Sequence, residues 1–541
     1  MSACVLVMHA GVSLAQHDGH VDSQRGATIK RLGTVVFSTS GSPAAQPSFL
    51  RGVALLHSFH FEEAADAFQA AERIDSSFAM PYWLEAFTHS HLLWGEDDPA
   101  AARKVLARLG PTPEARLARA LTPRERGYGA AIEAFFADTS VAVRTRAFAD
   151  SMRGLTTGYP DDLEAAAFGS LAFMMAIDED AYPPSELPAR KAQMVDLAEH
   201  VFAVSPNHPG AAHYLIHVSD LDPSYTTRSL PAARAYARIA PDASHALHMP
   251  SHVFLRLGLW DEVASSNERS WAASRREMAR DHLSGAELDA HSLSFLAYAY
   301  LEAGRWRAAR ALVDSARRVI GNADFTAPSH VDGRYAISDL SFLYAAATGR
   351  WQDAVLPPTP SSPPQNQRER GFAAIAQYAR GVIGAQRGDT AALAMAAAGF
   401  RSRADSTPQG RVPDFVASEL EGLLAQARGD RTRAIERFAR AGDLEGQVPI
   451  VGPPRFLFAR ELLGAEYLRA GQPDSAAAQF ERVLANAPNR SVSLLGLARA
   501  RRAAGDRAGA TATYAKLATN WRRADAGLPA LAEVRAGAAG R

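Results

Sequence analysis

Leu463-Gly-Ala-Glu-Tyr-Leu-Arg-Ala-Gly471, then Ala476-Ala-Ala-Gln-Phe480 and Val483-Leu-Ala-Asn-Ala-Pro488, read as two amphipathic helices joined at a glycine. Leu495-Gly-Leu-Ala-Arg-Ala-Arg-Arg-Ala-Ala-Gly505 repeats the pattern one period later. Working outward, a glycine followed by a polar or aromatic turn recurs at Gly258, Gly304, Gly349, Gly388, Gly429, Gly471 and Gly505, at intervals of 46, 45, 39, 41, 42 and 34 residues. Glycine there ends a helix by taking a left-handed conformation at C′. Small residues five positions on (Ala309, Ala354, Ala434, Ala476, Ala510) let the next helix pack closely. Periods of this length built from helix pairs predict an all-α chain, an α-solenoid of stacked hairpins.

These last two units resemble tetratricopeptide (TPR) repeats closely. Gly52 to Pro81 is similar, with Phe61-Glu-Glu-Ala-Ala65, Phe68 and Ala71 at the second-helix positions and Ser58-Phe-His60 in place of the turn glycine. The resemblance implies a right-handed superhelix and a protein or peptide partner in its concave groove. It implies packing rather than an activity. Ala212-His-Tyr-Leu-Ile-His217, Ala246-Leu-His-Met-Pro-Ser-His252, Arg256-Leu-Gly-Leu-Trp260, Asn267-Glu268 and Ala290-His291-Ser-Leu-Ser-Phe295 resemble a block found in large, poorly characterised bacterial TPR proteins.

That block holds the chemistry. Seven of the 17 histidines fall between His200 and His252. His213 and His217 are four apart and share a helix face, and His245, His248 and His252 follow an i, i+3, i+7 stripe. Two such stripes meeting across a hairpin would surround one point with imidazoles. The candidate metal ligands are therefore His213, His217, His245, His248 and His252, with His291 added by the resemblance. His57, further off in sequence, could reach the same concave surface only if the superhelix brings it there. A nitrogen-rich set suits zinc, copper, iron or nickel, with Asp220, Asp222, Asp242 and Asp289 as nearby oxygen ligands or orienting partners. Pro250 breaks or restarts the helix inside the second stripe, and Asp242 or Ser244 is expected to cap it. Met249 reads as core filler. No nucleotide cofactor is expected, because the phosphate-binding glycine motifs are absent from the sequence.

Composition narrows the rest. A chain of 541 residues exceeds one ordinary core. Its 58 basic and 58 acidic residues cancel, which argues against nucleic acid or an anionic membrane as partner. Cys4 is the only cysteine, so an internal disulfide and a zinc ribbon are excluded. Residues 1–15 read as a signal peptide ending at Ser13-Leu-Ala15, giving a periplasmic or secreted protein, otherwise a cytoplasmic one. Residues 16–45 read as a flexible leader, 46–354 as an N-terminal array with the histidine cluster, 355–369 as a Pro/Ser-rich linker and 370–541 as a C-terminal TPR array. Three functions fit: an exported scaffold with a histidine site, a histidine-ligated metal-dependent hydrolase or oxidoreductase, and a metal-binding or delivery protein.

Overall fold

The computed structural model describes residues 29–541 except 95, 281, 288, 322, 324, 326–330, 360–362, 365–366, 405–407 and 447–450. The chain is an all-α stack of helical hairpins. Among the described residues its sheet is one two-residue ladder, Ser90 opposite Asp97 and His91 opposite Glu96. No described helix is long and apolar enough to cross a membrane. The expected signal peptide and Cys4 lie outside the described residues.

Two compact units divide between Val253 and Phe254. In the first, the helices are α1 (Gln46–His57), α2 (Phe61–Ile74), α3 (Met80–Phe87), α4 (Pro99–Leu109), α5 (Pro113–Leu117), α6 (Pro123–Phe135), α7 (Val141–Gly158), α8 (Leu163–Asp178), α9 (Leu187–Val204), α10 (Pro209–Leu221), α11 (Thr226–Ile239) and α12 (Ser244–His248). The division falls inside α13 (Pro250–Arg256). The second unit continues through α14 (Trp260–Arg280), α15 (Ala290–Glu302), α16 (Trp306–Ile320), α17 (Val331–Thr348), α18 (Gln367–Gln386), α19 (Thr390–Arg401), α20 (Pro408–Ala427), α21 (Arg431–Glu445), α22 (Ala459–Arg469), α23 (Pro473–Asn486), α24 (Ser491–Ala503), α25 (Arg507–Asn520) and α26 (Leu531–Ala538). The Pro/Ser-rich stretch 355–369 falls within the second unit.

All seven turn glycines have positive φ, and the five alanines that follow them are buried. A second rule emerges in the hairpins. The Phe480 ring packs between Gly464 and Gly496, where an added Cβ would lie 2.8 and 2.4 Å away. Gly52 faces Phe68 and Gly422 faces Phe438 in the same way, each at 2.5 Å, and in all three hairpins the phenylalanine lies sixteen positions after its glycine. A missing side chain on the first helix makes room for the ring on the second. Gly464→Ala should therefore overpack the hairpin and lower stability by about 1–3 kcal/mol. A denaturant midpoint unchanged from wild type would show that the ring can move aside.

Residues 29–41, composed like a loose leader, are instead laid across the first unit. Ile29, Leu32 and Phe37 are buried, and the Phe37 ring meets Phe49 of α1, Tyr128 of α6 and Phe168 of α8. Backbone groups fix the path: Thr34 N–H donates to the Asn207 carbonyl at 2.9 Å, Arg51 donates to the Ile29 carbonyl at 2.7 Å and Ser40 N–H to Glu125 at 2.6 Å. Asp242 accepts from the Lys30 and Arg31 N–H groups. An extended strand lying on helices can satisfy its backbone only through such side-chain and loop partners.

In the second unit, helices distant in sequence are tied by a buried ion network. The Arg490 guanidinium makes a bidentate pair with Glu461 of α22 at 2.7 and 2.9 Å. It also reaches Glu302 of α15 at 2.9 Å and the Tyr298 hydroxyl at 2.7 Å. Ser491 N–H donates to the other Glu302 oxygen at 2.6 Å. Nearby, Trp260 donates its indole N–H to the Asn489 carbonyl at 2.9 Å. Trp260 is thus a packing residue, as its position two residues after a turn glycine suggests.

Candidate functional site: a histidine cluster on the first unit

Helix α10 begins at the Pro209 that follows His208, proline at the first position being pre-set for a helix. It carries His213, Tyr214 and His217, all buried. The His213 Nδ1 lies 2.8 Å from the backbone carbonyl of His57, so it must carry the proton and donate. The His213 Nε2 then presents a lone pair, and the Nε2 atoms of both His245 and His217 stand 3.1 Å from it. Donor atoms of the three rings all lie within 4.8 Å of one another. Burial, followed by the neighbouring histidines, holds His213 and His245 well below the usual imidazole range, so both are neutral at neutral pH.

A single in-plane lone pair accepts one straight hydrogen bond, yet two nitrogens face this one. A cation between the rings would resolve that conflict. Nitrogen ligands about 2.0–2.1 Å from a tetrahedral ion are about 3.3 Å apart, close to the observed 3.1 Å. Anchoring the far ring nitrogen on a carbonyl is also what fixes the tautomer of metal-binding histidines.

Pro250 restarts the helix, with α12 ending at His248 and α13 beginning at Pro250, and the rings are found in two sets of short contacts. His245 joins His213 and His217. His248 and His252 pair separately, Nε2 to Nε2 at 3.0 Å. His252 Nδ1 is 2.9 Å from Asp220, and the same carboxylate oxygen is 3.7 Å from His217 Nδ1. His291 lies in the second unit, at the start of α15 with its ring 5.0 Å from Phe295.

Of the four aspartates, Asp220 meets these rings. Asp222 receives Lys191 and caps the turn after α10. Asp242 holds Arg31, and Asp289 caps α15. Neither Asp242 nor Ser244 caps α12, whose N-cap is Ala243 with no side-chain hydrogen bond. Met249 is buried filler.

Beneath the cluster lies a network that the sequence pattern missed. The Glu164 carboxylate, fully buried on α8, faces His57 Nε2 at 2.9 Å and His208 Nε2 at 3.0 Å. His208 Nδ1 accepts the Ala211 N–H at 3.2 Å as the N-cap of α10, so its Nε2 carries the proton. His57 Nδ1 meets the Tyr214 hydroxyl at 2.7 Å. Burial alone would push the Glu164 carboxyl up, but His208 and His57 outweigh it and hold it down at about 2. These three residues are close enough to ligate an ion, but each of their ring nitrogens already has a hydrogen-bond partner. The network sets the position of His57, whose carbonyl orients His213. The signal for Glu164 was present: it is the one charge in the apolar run Leu163 to Ile177.

Phe59 completes the site. It occupies the C′ position of α1, where the other turns use glycine, with φ +58°. The Phe59 N–H reaches the Leu56 carbonyl and the His60 N–H the Leu55 carbonyl, both at 3.0 Å, the double hydrogen bond of a Schellman turn. A left-handed phenylalanine costs roughly 1–3 kcal/mol. Its buried ring lies 4.3 Å from His213, 5.7 Å from His217 and 5.9 Å from His245, covering the cluster.

No protein-family model matches the chain, and no curated protein matches it. Among solved structures, a chain of the APC/C hetero-tetramer Cut9–Hcn1 is 13% identical with a TM-score of 0.32, over 86% of this chain and 78% of that one. A chain of the human IFIT1 dimer with m7Gppp-AAAA is 12% identical with a TM-score of 0.31, over 94% of this chain and 96% of that one.

Proposed function

We propose that the first unit is a transition-metal module built into a helical-repeat scaffold, with His213, His217 and His245 as ligands. The observation that carries this reading is the approach of two Nε2 atoms to the one lone pair of His213, whose other nitrogen is committed to the His57 carbonyl. Neutral nitrogen donors suit zinc, copper, iron or nickel. A protein or peptide partner on the repeat surface belongs to the same reading, supported by the hairpin fold itself. Export to the periplasm or beyond is a further element of it, supported by the apolar run at residues 2–15.

One observation favours a metal-dependent enzyme as the second reading. Three protein ligands leave a coordination position for water or substrate, the arrangement of catalytic rather than structural zinc, and His245 is only partly buried. Activated water would make this a hydrolase, and a redox-active ion an oxidoreductase.

The test is elemental analysis of the untagged protein after reconstitution with zinc, copper, iron or nickel, beside His213→Ala/His245→Ala. Metal near stoichiometry in the wild type, and its loss at the three-histidine centre of a still-helical variant, is the expected result. A wild type that binds none of the four would overturn both readings.

A further inference from the structure

The cluster has two points of convergence rather than one, and each repeats the same local design. In the first, His213 turns its Nε2 inward while its Nδ1 is held on a carbonyl at 2.8 Å. In the second, His252 turns its Nε2 toward His248, at 3.0 Å, while its Nδ1 lies 2.9 Å from the Asp220 carboxylate. A carboxylate behind an imidazole orients the ring, as it does in metal centres. The rings of the two groups are near neighbours. His245 and His248 have centroids 6.4 Å apart, and His217 and His252 6.5 Å apart.

Asp220 is what joins them. It leaves α10 one turn after His217, and its Oδ2 lies 3.7 Å from His217 Nδ1 as well as 2.9 Å from His252 Nδ1. One carboxylate therefore stands behind a ring of each group.

We propose that the first unit binds two transition-metal ions, one at His213, His217 and His245 and a second at His248 and His252, with Asp220 as the positioning residue they share. This rests on the metal-module reading above and extends it from one ion to two. The second ion has two protein nitrogens from this unit and fills its remaining positions with water or an anionic ligand. An ion in either group draws charge toward its rings and strengthens the hold of Asp220 on both. Loss of Asp220 is then felt at both positions, although its oxygens touch neither ion.

The experiment counts ions on the full chain, stripped with a chelator and titrated with zinc and with cobalt. Two ions per wild-type chain are expected. One ion is expected for His248→Ala/His252→Ala and one for His213→Ala/His245→Ala, with circular dichroism confirming the helical content of each. The count is repeated with His248→Gln/His252→Gln, so that a folding defect in the alanine variant does not decide the outcome. Asp220→Asn should weaken both ions by about 10–100-fold, a readout that a purely structural carboxylate would not move at two positions. A single wild-type ion, unaffected by the loss of His248 and His252, would overturn this inference and leave the three-histidine centre standing. No ion at all would overturn both.

Discussion

Arg490→Met is expected to lower the stability of the second unit by about 3–5 kcal/mol, because it leaves two buried carboxylates without their cation. Glu302 and Glu461 belong to helices more than 150 residues apart, and Arg490 is the group that faces both. The side chain is replaced by one of similar volume, so the loss reports chiefly the ion network rather than a cavity. Arg490→Lys separates charge from geometry. An ammonium keeps the charge but cannot make the bidentate pair with Glu461 while reaching Glu302 and Tyr298. It should recover only part of the loss. Urea titration of each variant, followed by circular dichroism, measures the difference. A loss under about 1 kcal/mol for Arg490→Met would mean that water reaches these carboxylates and the network holds little.

The second large effect is expected at Glu164. Glu164→Leu removes the acceptor for His57 and His208 together. Each buried group left unsatisfied costs roughly 1–3 kcal/mol, so roughly 2–6 kcal/mol is expected in all. The pH dependence distinguishes this from simple misfit. The folded carboxyl titrates at about 2 against an ordinary 4.5. Its stabilisation is therefore complete above 4.5 and is lost as the pH falls through 2. The wild type should lose stability steeply on that acid limb, and the variant should lose less there. Parallel acid limbs would show that the carboxyl is not ionised in the folded chain. Ion binding should weaken too, since the His57 carbonyl that orients His213 would lose its anchor.

What could be read from the sequence is what repeats. The turn glycines and the buried alanines follow local rules, and local rules leave periodic marks. Histidines four apart were legible for the same reason. The grouping of His245 with His213, and of His248 with His252, was not, because it depends on how Met249 and Pro250 end one helix and begin another. Glu164 and His57 lie 107 positions apart, and no periodicity connects them. Phe59 was visible as a departure from the glycine pattern. Only its left-handed backbone shows that the departure aims a ring at the cluster.

The segment that crosses the first unit has a consequence in time. Lys30 and Arg31 leave the ribosome before the Asp242 that receives their N–H groups, which is 212 and 211 residues behind. At about 5–20 residues per second the wait is roughly 10–40 s. Asn207, which receives Thr34, arrives only slightly sooner. Throughout that interval the Lys30 and Arg31 N–H groups are without their acceptor, although Phe49, Tyr128 and Phe168, on which Phe37 packs, are made earlier. Chaperones, or an extended peptide of similar apolar spacing, would meet the nascent unit in a form that the finished chain no longer offers.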